Sequence, residues 1–480
     1  MKKILLIILI GIIILLGILF YNFSQTKPEN STKISTPTDL ASIQGQNERI
    51  SKSITFQTVS YEDSSLIDYS QFIAFHEFLK ASYPNVFKKL EVETVNTYSL
   101  LLKWKGTDQS LLPGILMAHQ DVVPVSEDTK NLWMHPPFEG LIKDGILYGR
   151  GAIDDKINLM GQLESVEFLL KSGFQPKRDF YLVFGHDEEI GGKNGAVQIA
   201  QLLFSRGIKA EFVLDEGGFI TNDKVPGVKD AVALIGTSEK GYMNLDLSVN
   251  IKGGHSSMPT SNNAIAVLAK ALSDLNTQPF SPALSTSVND FIHHIAPYST
   301  FVNKLAMSNM WLFKPLVFNI YSKSGAGDAM IRTTMVPTII HGGNKSNVIP
   351  NIVKATVNLR LLPGTSIQEA LNHVKNAINN PSVKIEVQPG ALEASEVSPI
   401  NNEVFKSFKA NIESHFDNAI VAPFLMIGGT DSRHFNIVSK NIYKFSPMID
   451  PEGFHGVNES LNLKDYNKTI GFYVDFIKGL

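Results

Sequence analysis

The 480-residue sequence contains no cysteine. Disulfides, thiolate metal sites and cysteine nucleophiles are therefore excluded, and any metal must be held by His, Asp or Glu. The chain also lacks a charge bias. Its 43 Lys and Arg against 46 Asp and Glu give a formal net charge of -3. Phosphate binding needs a basic surface, so this balance argues against nucleic acid as a partner. Internal repeats are absent, and the one compositionally biased tract is a short Ser/Thr/Pro-rich stretch. What remains is ordinary globular material, 43% hydrophobic with 35 Gly and 23 Pro, enough for a sizeable core. The length implies roughly two to four compact units.

Lys2 and Lys3 precede an uncharged apolar run from Ile4 to Phe20. At the helical rise of about 1.5 Å per residue this run is roughly 26 Å long, close to a bilayer core. Phe20-Tyr21-Asn22-Phe23 lacks a small-residue cleavage pattern, so an uncleaved signal-anchor over residues 1–22 is expected, with a cleaved signal peptide as the alternative. The lysines sit before the span, which places the bulk of the protein outside the cytosol in both cases. Residues 23–45, rich in Ser, Thr, Pro and Lys, read as a flexible tether. They include the Asn30-Ser31-Thr32 sequon, which matters only in a glycosylating host.

Beyond the tether, apolar runs at Gly114–Ala118, Phe180–Phe184 and Phe212–Leu214 alternate with helical patterns at 159–170 and 196–204. Such alternation predicts an α/β unit with a mostly parallel central sheet and helices on both faces. Residues 46–240 form its first part and 391–480 its second. Between them, 241–390 read as an inserted α+β domain. Tyr242–Asn250 alternates as a half-buried strand does, and the later pattern completes a ferredoxin-like β-α-β-β-α-β order. The stretch 277–332 is too long for a plain loop, and some helix is expected there.

The chemistry lies at strand ends, where an open α/β sheet binds ligands. His119-Gln120-Asp121 closes one strand. Alone it reads as a hydrogen-bonded histidine, although Asp121 is placed to fix a ligand tautomer. Gly149 to Lys156 leads into a helix, where Asp154 suits either an N-cap or a carboxylate bridging two cations. His186-Asp187-Glu188-Glu189, bracketed by glycines, is costly at the end of a buried strand unless a metal offsets the charge. Adjacent glutamates suit one metal ligand and one proton acceptor. Asp215-Glu216-Gly217 ends a further strand, and Phe454-His455-Gly456 lies near the C-terminus. Each motif has a mundane reading as turn or surface loop, and their joint occurrence carries the weight.

The sequence resembles the aminoacylase/carboxypeptidase family of co-catalytic zinc exopeptidases, peptidase family M20, most closely its carboxypeptidase S-like branch. The matching stretches are His119–Val125, Pro136–Phe138, Gly149–Lys156, Gly185–Gly192, Leu214–Gly217, Gly253–Ser257, Asn347–Pro350, Gly428–Arg433 and Phe454–Gly456. The resemblance implies two zinc ions per subunit: His119 and Asp215 on one, Glu189 and His455 on the other, with Asp154 bridging. It implies Glu188 as general base, Asp121 as the partner of His119, and His255 reaching the substrate carbonyl, often from the neighbouring subunit of a homodimer formed through the insert, which also serves as a lid. Asn347 and Arg360, with Gly429, Thr430 and Arg433, would hold the substrate and its carboxylate. Of the other histidines, His135 reads as packing or surface and His186 as a neighbour of the ligands. His434 reads equally as substrate contact or wall, and His293, His294 and His373 as solvated.

The leading expectation is a zinc carboxypeptidase acting on short peptides with a free C-terminus. An N-acyl amino acid hydrolase or synthase shares the cut bond and the carboxylate clamp, and differs in its acyl pocket. The apolar segment Met310–Tyr321 suits a lipid-accepting surface but reads first as a dimer contact or core. A metal-free binding protein on the same fold is a remote third.

Overall fold

A computed structural model describes residues 1–29, 36–259 and 262–480. Residues 30–35 of the tether, with the Asn30-Ser31-Thr32 sequon, lie outside the described residues.

Three strands, Gly114–His119, Phe180–Gly185 and Phe212–Asp215, are buried along their whole length. Apolar runs of this kind belong at the centre of a sheet covered on both faces. They lie at the middle of a nine-stranded sheet. Phe180–Gly185, Gly114–His119, Phe212–Asp215 and Ile442–Lys444 run parallel in that spatial order. Val232–Glu239 and Ile420–Met426 are parallel to each other but join the rest antiparallel. At the opposite edge, Glu91–Val95 and Ser99–Trp104 form a hairpin that meets Phe180–Gly185 antiparallel. The sheet is thus mixed, not mostly parallel as expected. The hairpin turns at Asn96 and Thr97, both at positive φ, so Ser99–Trp104 returns beside its neighbour without a crossover helix.

One helix, Lys156–Lys171, is buried almost throughout. It packs between Gly114–His119 and the C-terminal helix Leu463–Gly479. Its N-terminus therefore opens beside the strand ends, directly after Asp154 and Asp155.

The second sheet is four-stranded and antiparallel, in the order Thr334–Gly342, Ile352–Leu361, Gly241–Asn250, Val383–Val387. Met243, Leu245, Leu247 and Val249 alternate into a separate core with Leu268, Val374 and Val357, beneath helices Ala264–Thr277 and Ile367–Ile378. The stretch 277–332 behaves differently from the rest of the insert. Its helices Thr286–Ile295, Phe301–Met307, Met310–Tyr321 and Gly325–Ile331 supply Phe291, Ala306, Val317 and Ile331 to a core shared with Val232, Leu234, Ile420 and Ala422. This stretch belongs to the large sheet by packing, although it is inserted between elements of the small one. The N-terminal helix extends over Lys2–Gln25, past the apolar run.

A three-stranded sheet brings the C-terminal segment back to the first half of the chain: Ser460–Asn462 pairs with Ile146–Tyr148, and that strand with Leu141–Lys143. The pairing continues into a side-chain clasp. The buried Glu459 carboxylate accepts hydrogen bonds from the backbone N–H groups of Gly151, Ile153 and Asp154 at 2.9, 2.9 and 3.2 Å and from the Arg150 guanidinium at 2.8 Å. Removing one member of a buried, hydrogen-bonded ion pair strands the other and costs about 3–5 kcal/mol. Glu459→Ala is therefore expected to lower stability by that amount in denaturant titration of the purified protein. A change below about 0.5 kcal/mol, the surface-substitution range, would show that the clasp carries no weight.

Candidate metal centre

His119 is the last residue of its strand and its ring is almost fully buried. Its Nε2 lies 2.9 Å from Asp154 Oδ1 and 3.3 Å from Glu216 Oε1. The other oxygen of Asp154, Oδ2, is 3.0 Å from His455 Nε2, which lies 3.2 Å from Glu189 Oε2. Two groups result, His119–Asp154–Glu216 and Asp154–Glu189–His455, each with one ligand atom per residue within 4.8 Å of the others. Asp154 belongs to both. His455 has φ 52°, a left-handed conformation uncommon for a non-glycine residue and typical of functional turns.

The charges in this cluster perturb one another strongly. Burial opposes a charged His119, but the facing Glu216 and hydrogen bonds with Asp121 and Asp154 outweigh it and raise its pKa well above the usual value. Hydrogen bonds that His455 donates to the Asp154 and Glu189 carboxylates lift its pKa to about 10. Burial and the charge of Asp154 push Glu216 up to about 8. Burial, with Glu216, Asp431 and Glu189 nearby, raises Glu188 well above the carboxylate range. Such crowding of carboxylates and imidazoles is what a bound cation relieves. One observation tests the fit directly: Glu189 Oε1 is a buried carboxylate oxygen with no hydrogen-bond partner, on the residue that faces His455. The donor set is wholly nitrogen and oxygen, which suits zinc bound without thiolate.

Several predicted residues fall together here, and others do not. His119, Asp154, Glu189 and His455 converge. Asp215 turns away: its Oδ2 accepts a hydrogen bond from Ser432 N at 2.8 Å and its Oδ1 from Glu216 N at 2.9 Å. The carboxylate facing His119 is that of the next residue, Glu216. Asp121 lies beneath the cluster. Its carboxylate accepts from Ser60 Oγ at 2.5 Å and from the backbone N–H groups of Glu188 and Glu189, both at 3.1 Å. His119 Nδ1 is nearer to the Asp121 carbonyl oxygen, 3.0 Å, than to its carboxylate, 3.4 Å. Asp121 thus both braces His119 and sets the backbone that carries Glu188.

His255 is exposed and sits on a two-residue strand paired with Val348–Ile349. Its Nδ1 is hydrogen-bonded by Ser257, and among the described residues no contact joins it to the cluster. Asn347 accepts a hydrogen bond from Ser256 through its backbone oxygen. Arg360 lies over the Tyr242 ring at 4.8 Å. Burial, followed by the positive charge of Arg433, depresses its pKa. Arg433 approaches Glu239 at 3.7 Å and donates to the Glu393 carbonyl oxygen, beside Gly429, where a Cβ would meet its guanidinium at 2.8 Å. Thr430 Oγ1 donates to Glu239 Oε1 at 2.9 Å. Arg360 feels the positive charge of Arg433 and has no carboxylate partner among the described residues.

The remaining histidines sort differently. His186 Nδ1 is 2.6 Å from Ser99 Oγ, behind the glutamates. His373 stacks on Phe280 and is not simply solvated. Three further residues, to which the sequence reading gave no role, contribute to the site. Glu216 was visible within its motif. Asp431 has a buried carboxylate so close to Gly185 and Gly192 that a Cβ at either would lie 2.7 or 2.0 Å from it, and Glu459 clasps the Asp154 loop. For the last two the only clue was their place next to a glycine-rich or histidine motif.

Residues 115–479 match peptidase family M20/M25/M40. The chain is 40% identical over 487 residues to "Probable carboxypeptidase S-like 2" of Dictyostelium discoideum, covering 98% of this chain and 92% of that one. It is 39% identical over 433 residues to the human "N-fatty-acyl-amino acid synthase/hydrolase PM20D1", covering 88% and 84%. Among solved structures it resembles the M20 family metallo-carboxypeptidase Sso-CP2 from Sulfolobus solfataricus, with a TM-score of 0.69 at 18% identity, over 91% of this chain and 99% of that one. The likeness to that structure concerns the fold alone. With its His and carboxylate cluster at the strand ends, the chain belongs to peptidase family M20/M25/M40 and is an enzyme of the metallopeptidase and amidohydrolase type.

Proposed function

We propose that this enzyme uses two zinc ions, bridged by Asp154, to hydrolyse the amide bond next to a free C-terminal carboxylate, with short peptides as substrates. The observation that carries the proposal is the shared-carboxylate cluster together with Arg360, a partly buried guanidinium with no carboxylate partner among the described residues. Arginine binds carboxylates in a planar, bidentate manner, so Arg360 and Arg433 select the substrate end that bears one. His119, Glu216 and Asp154 hold one metal, and Asp154, Glu189 and His455 the other. Glu216 replaces Asp215 in the expected ligand set, and Asp215 orients the loop of Thr430 and Ser432. A metal pair bound there supplies Lewis acidity toward the scissile carbonyl and the attacking water.

Glu188 is the proposed general base. Asp121 fixes its backbone, and a carboxylate held there beside the cluster is placed to take a proton from water and pass it to the leaving amine. His255 steadies charge on the carbonyl oxygen from a neighbouring subunit. This assignment is supported by its exposure, its distance from any ligand contact, and an edge strand, Thr334–Gly342, that leaves Val336, Ile339 and Ile340 exposed. Exposed apolar edges pair with other chains. The N-terminal helix acts as an uncleaved anchor with the catalytic part outside the cytosol. A second reading, N-acyl amino acid hydrolysis or synthesis, is favoured by the name of the human relative at 39% identity.

Four outcomes are expected. Glu188→Ala retains two zinc ions by metal analysis and loses about 10²–10⁴ in kcat, the usual contribution of a general base. Glu216→Ala binds less metal, and full zinc content in that variant would return the role to Asp215. A substrate panel on the zinc-reconstituted enzyme should show turnover of dipeptides that stops when the C-terminal carboxylate is amidated. Turnover confined to fatty-acyl amino acids would favour the second reading. Finally, Ile340→Lys should yield a monomer by light scattering, with zinc retained and kcat/KM reduced. A fully active monomer would remove His255 from the partner's site.

A further inference from the structure

The N-terminal helix is not loosely attached to the catalytic body. Leu19, Asn22, Phe23 and Thr26, at helical spacing i, i+3, i+4 and i+7, present one face to the corner between helices Phe301–Met307 and Met310–Tyr321. Asn309 is fully buried in that corner. Its Nδ2 donates to the Leu19 carbonyl oxygen at 3.1 Å and to that of Leu305 at 2.9 Å, and its Oδ1 accepts from Asn22 Nδ2 at 2.9 Å. Ser308 Oγ donates to Thr26 Oγ1 at 2.8 Å. The Phe23 ring lies 5.1 Å from that of Phe301 and beneath the Lys304 ammonium.

The contact fixes a level. Leu19 is sixteen to seventeen residues beyond the two N-terminal lysines, roughly 25 Å along a helix at about 1.5 Å per residue, which is just inside the far boundary of a hydrocarbon core about 30 Å thick. A side chain that bonds the Leu19 carbonyl is therefore held at that boundary. The two docked helices carry an outer face that the core does not use. Phe301, Val302, Trp311, Leu312 and Leu316 are exposed, whereas Ala306, Met307, Val317 and Tyr321 point inward to the large sheet. Residues 301–323 contain three lysines and no Asp or Glu. An apolar face with an exposed Trp, flanked by lysines alone, is the composition of a segment lying in the lipid headgroup layer.

We propose that the outer face of helices Phe301–Met307 and Met310–Tyr321 rests on the same bilayer that the N-terminal helix spans, making a second, interfacial contact that holds the catalytic body in one orientation to the membrane. The proposal rests on reading the N-terminal helix as an uncleaved anchor. The absence of native cysteine makes the full chain suitable for site-directed labelling. Leu312→Cys, Leu316→Cys, Ile13→Cys and Ser382→Cys would each carry a nitroxide, in full-length protein reconstituted into phosphatidylcholine–phosphatidylglycerol vesicles and shown to retain zinc. Spin relaxation by oxygen and by a water-soluble nickel complex reports depth.

Labels at 312 and 316 are expected to collide with nickel several-fold less than the label at 382, on the exposed tip of the small domain, while remaining open to oxygen as at 13. If 312 and 316 match 382 while 13 stays lipid-like, the interfacial contact is refuted and the anchor stands. If 13 is also open to nickel, the anchor reading fails and the contact falls with it. Shielding of 312 and 316 from both reagents would mean that protein, not lipid, covers this face, which likewise overturns the proposal.

Discussion

Each oxygen of Asp154 lies close to the Nε2 of a different histidine, at 2.9 and 3.0 Å, and the rest of the centre is arranged around keeping it there. One histidine ends a central strand and the other comes from a loop some three hundred residues later. A carboxylate fully removed from water is strongly disfavoured unless paired. His119 and His455 reverse that preference and hold Asp154 below its ordinary pKa against its own burial. The loop carrying Asp154 is in turn fixed by Glu459, which binds three of its backbone N–H groups and Arg150. Because Glu459 directly precedes the strand Ser460–Asn462 and follows His455 by four residues, one clasp sets both sides of the second metal group.

Around this axis the protein tolerates a density of acidic groups that would otherwise oppose folding. Asp155, Glu188, Glu216 and Asp431 are all pushed above the carboxylate range, burial being the first cause for each. The compensations are local. Lys156 lies under the cluster, its ammonium donating to Thr58 Oγ1 and the Gln120 carbonyl oxygen and stacked 3.8 Å from the Phe75 ring. Burial lowers it to about 7. Its charge is held where it braces the His119–Asp121 turn without entering the metal site. Gly185 and Gly192 leave room for Asp431, so the glutamate loop closes over a carboxylate that any side chain at those positions would displace. Metal binding to such a set releases protons.

Much of this was legible in the sequence because strands buried on both faces announce themselves as unbroken apolar runs, and the residues that follow them mark where the sheet opens. His119, Asp154 and Glu189 could be placed on that basis. The choice between Asp215 and Glu216 could not. Consecutive residues at a strand end point to opposite sides, so a shift of one position exchanges the side chain that meets His119 for the one that meets Ser432, and the motif Asp-Glu-Gly supplies a carboxylate for either. The Glu91–Trp104 hairpin was missed for a related reason. Its strands mix charged and apolar residues, and only long-range pairing with Phe180–Gly185 gives them a sheet to join. The clasp of Glu459 depends on a contact across about three hundred residues, which no local pattern encodes. Packing also divided the insert in a way that order along the chain does not reveal, since 286–331 share a core with the large sheet.

That division also determines how the small sheet is joined to the large one. The chain enters it after Glu239 and leaves through 391–398, and the two crossings lie side by side: Ser398 N donates to Thr237 O, Ser395 N to Glu239 O, and Tyr242 and Leu392 exchange both backbone bonds. Lys240, between them, is wholly buried, and its ammonium donates to the carbonyl oxygens of Ala329 and Arg332, at the other place where the chain passes between the two bodies. The small sheet is therefore tied to the large one at this strap. Arg360 is paired in register with Tyr242, next to the strap, whereas Asn250 pairs with Ile352 at the far end and His255 lies beyond it. Under the proposed roles, the arginine that would bind the carboxylate thus lies beside the strap, and His255 lies at the far end of the small sheet, away from the cluster it would serve.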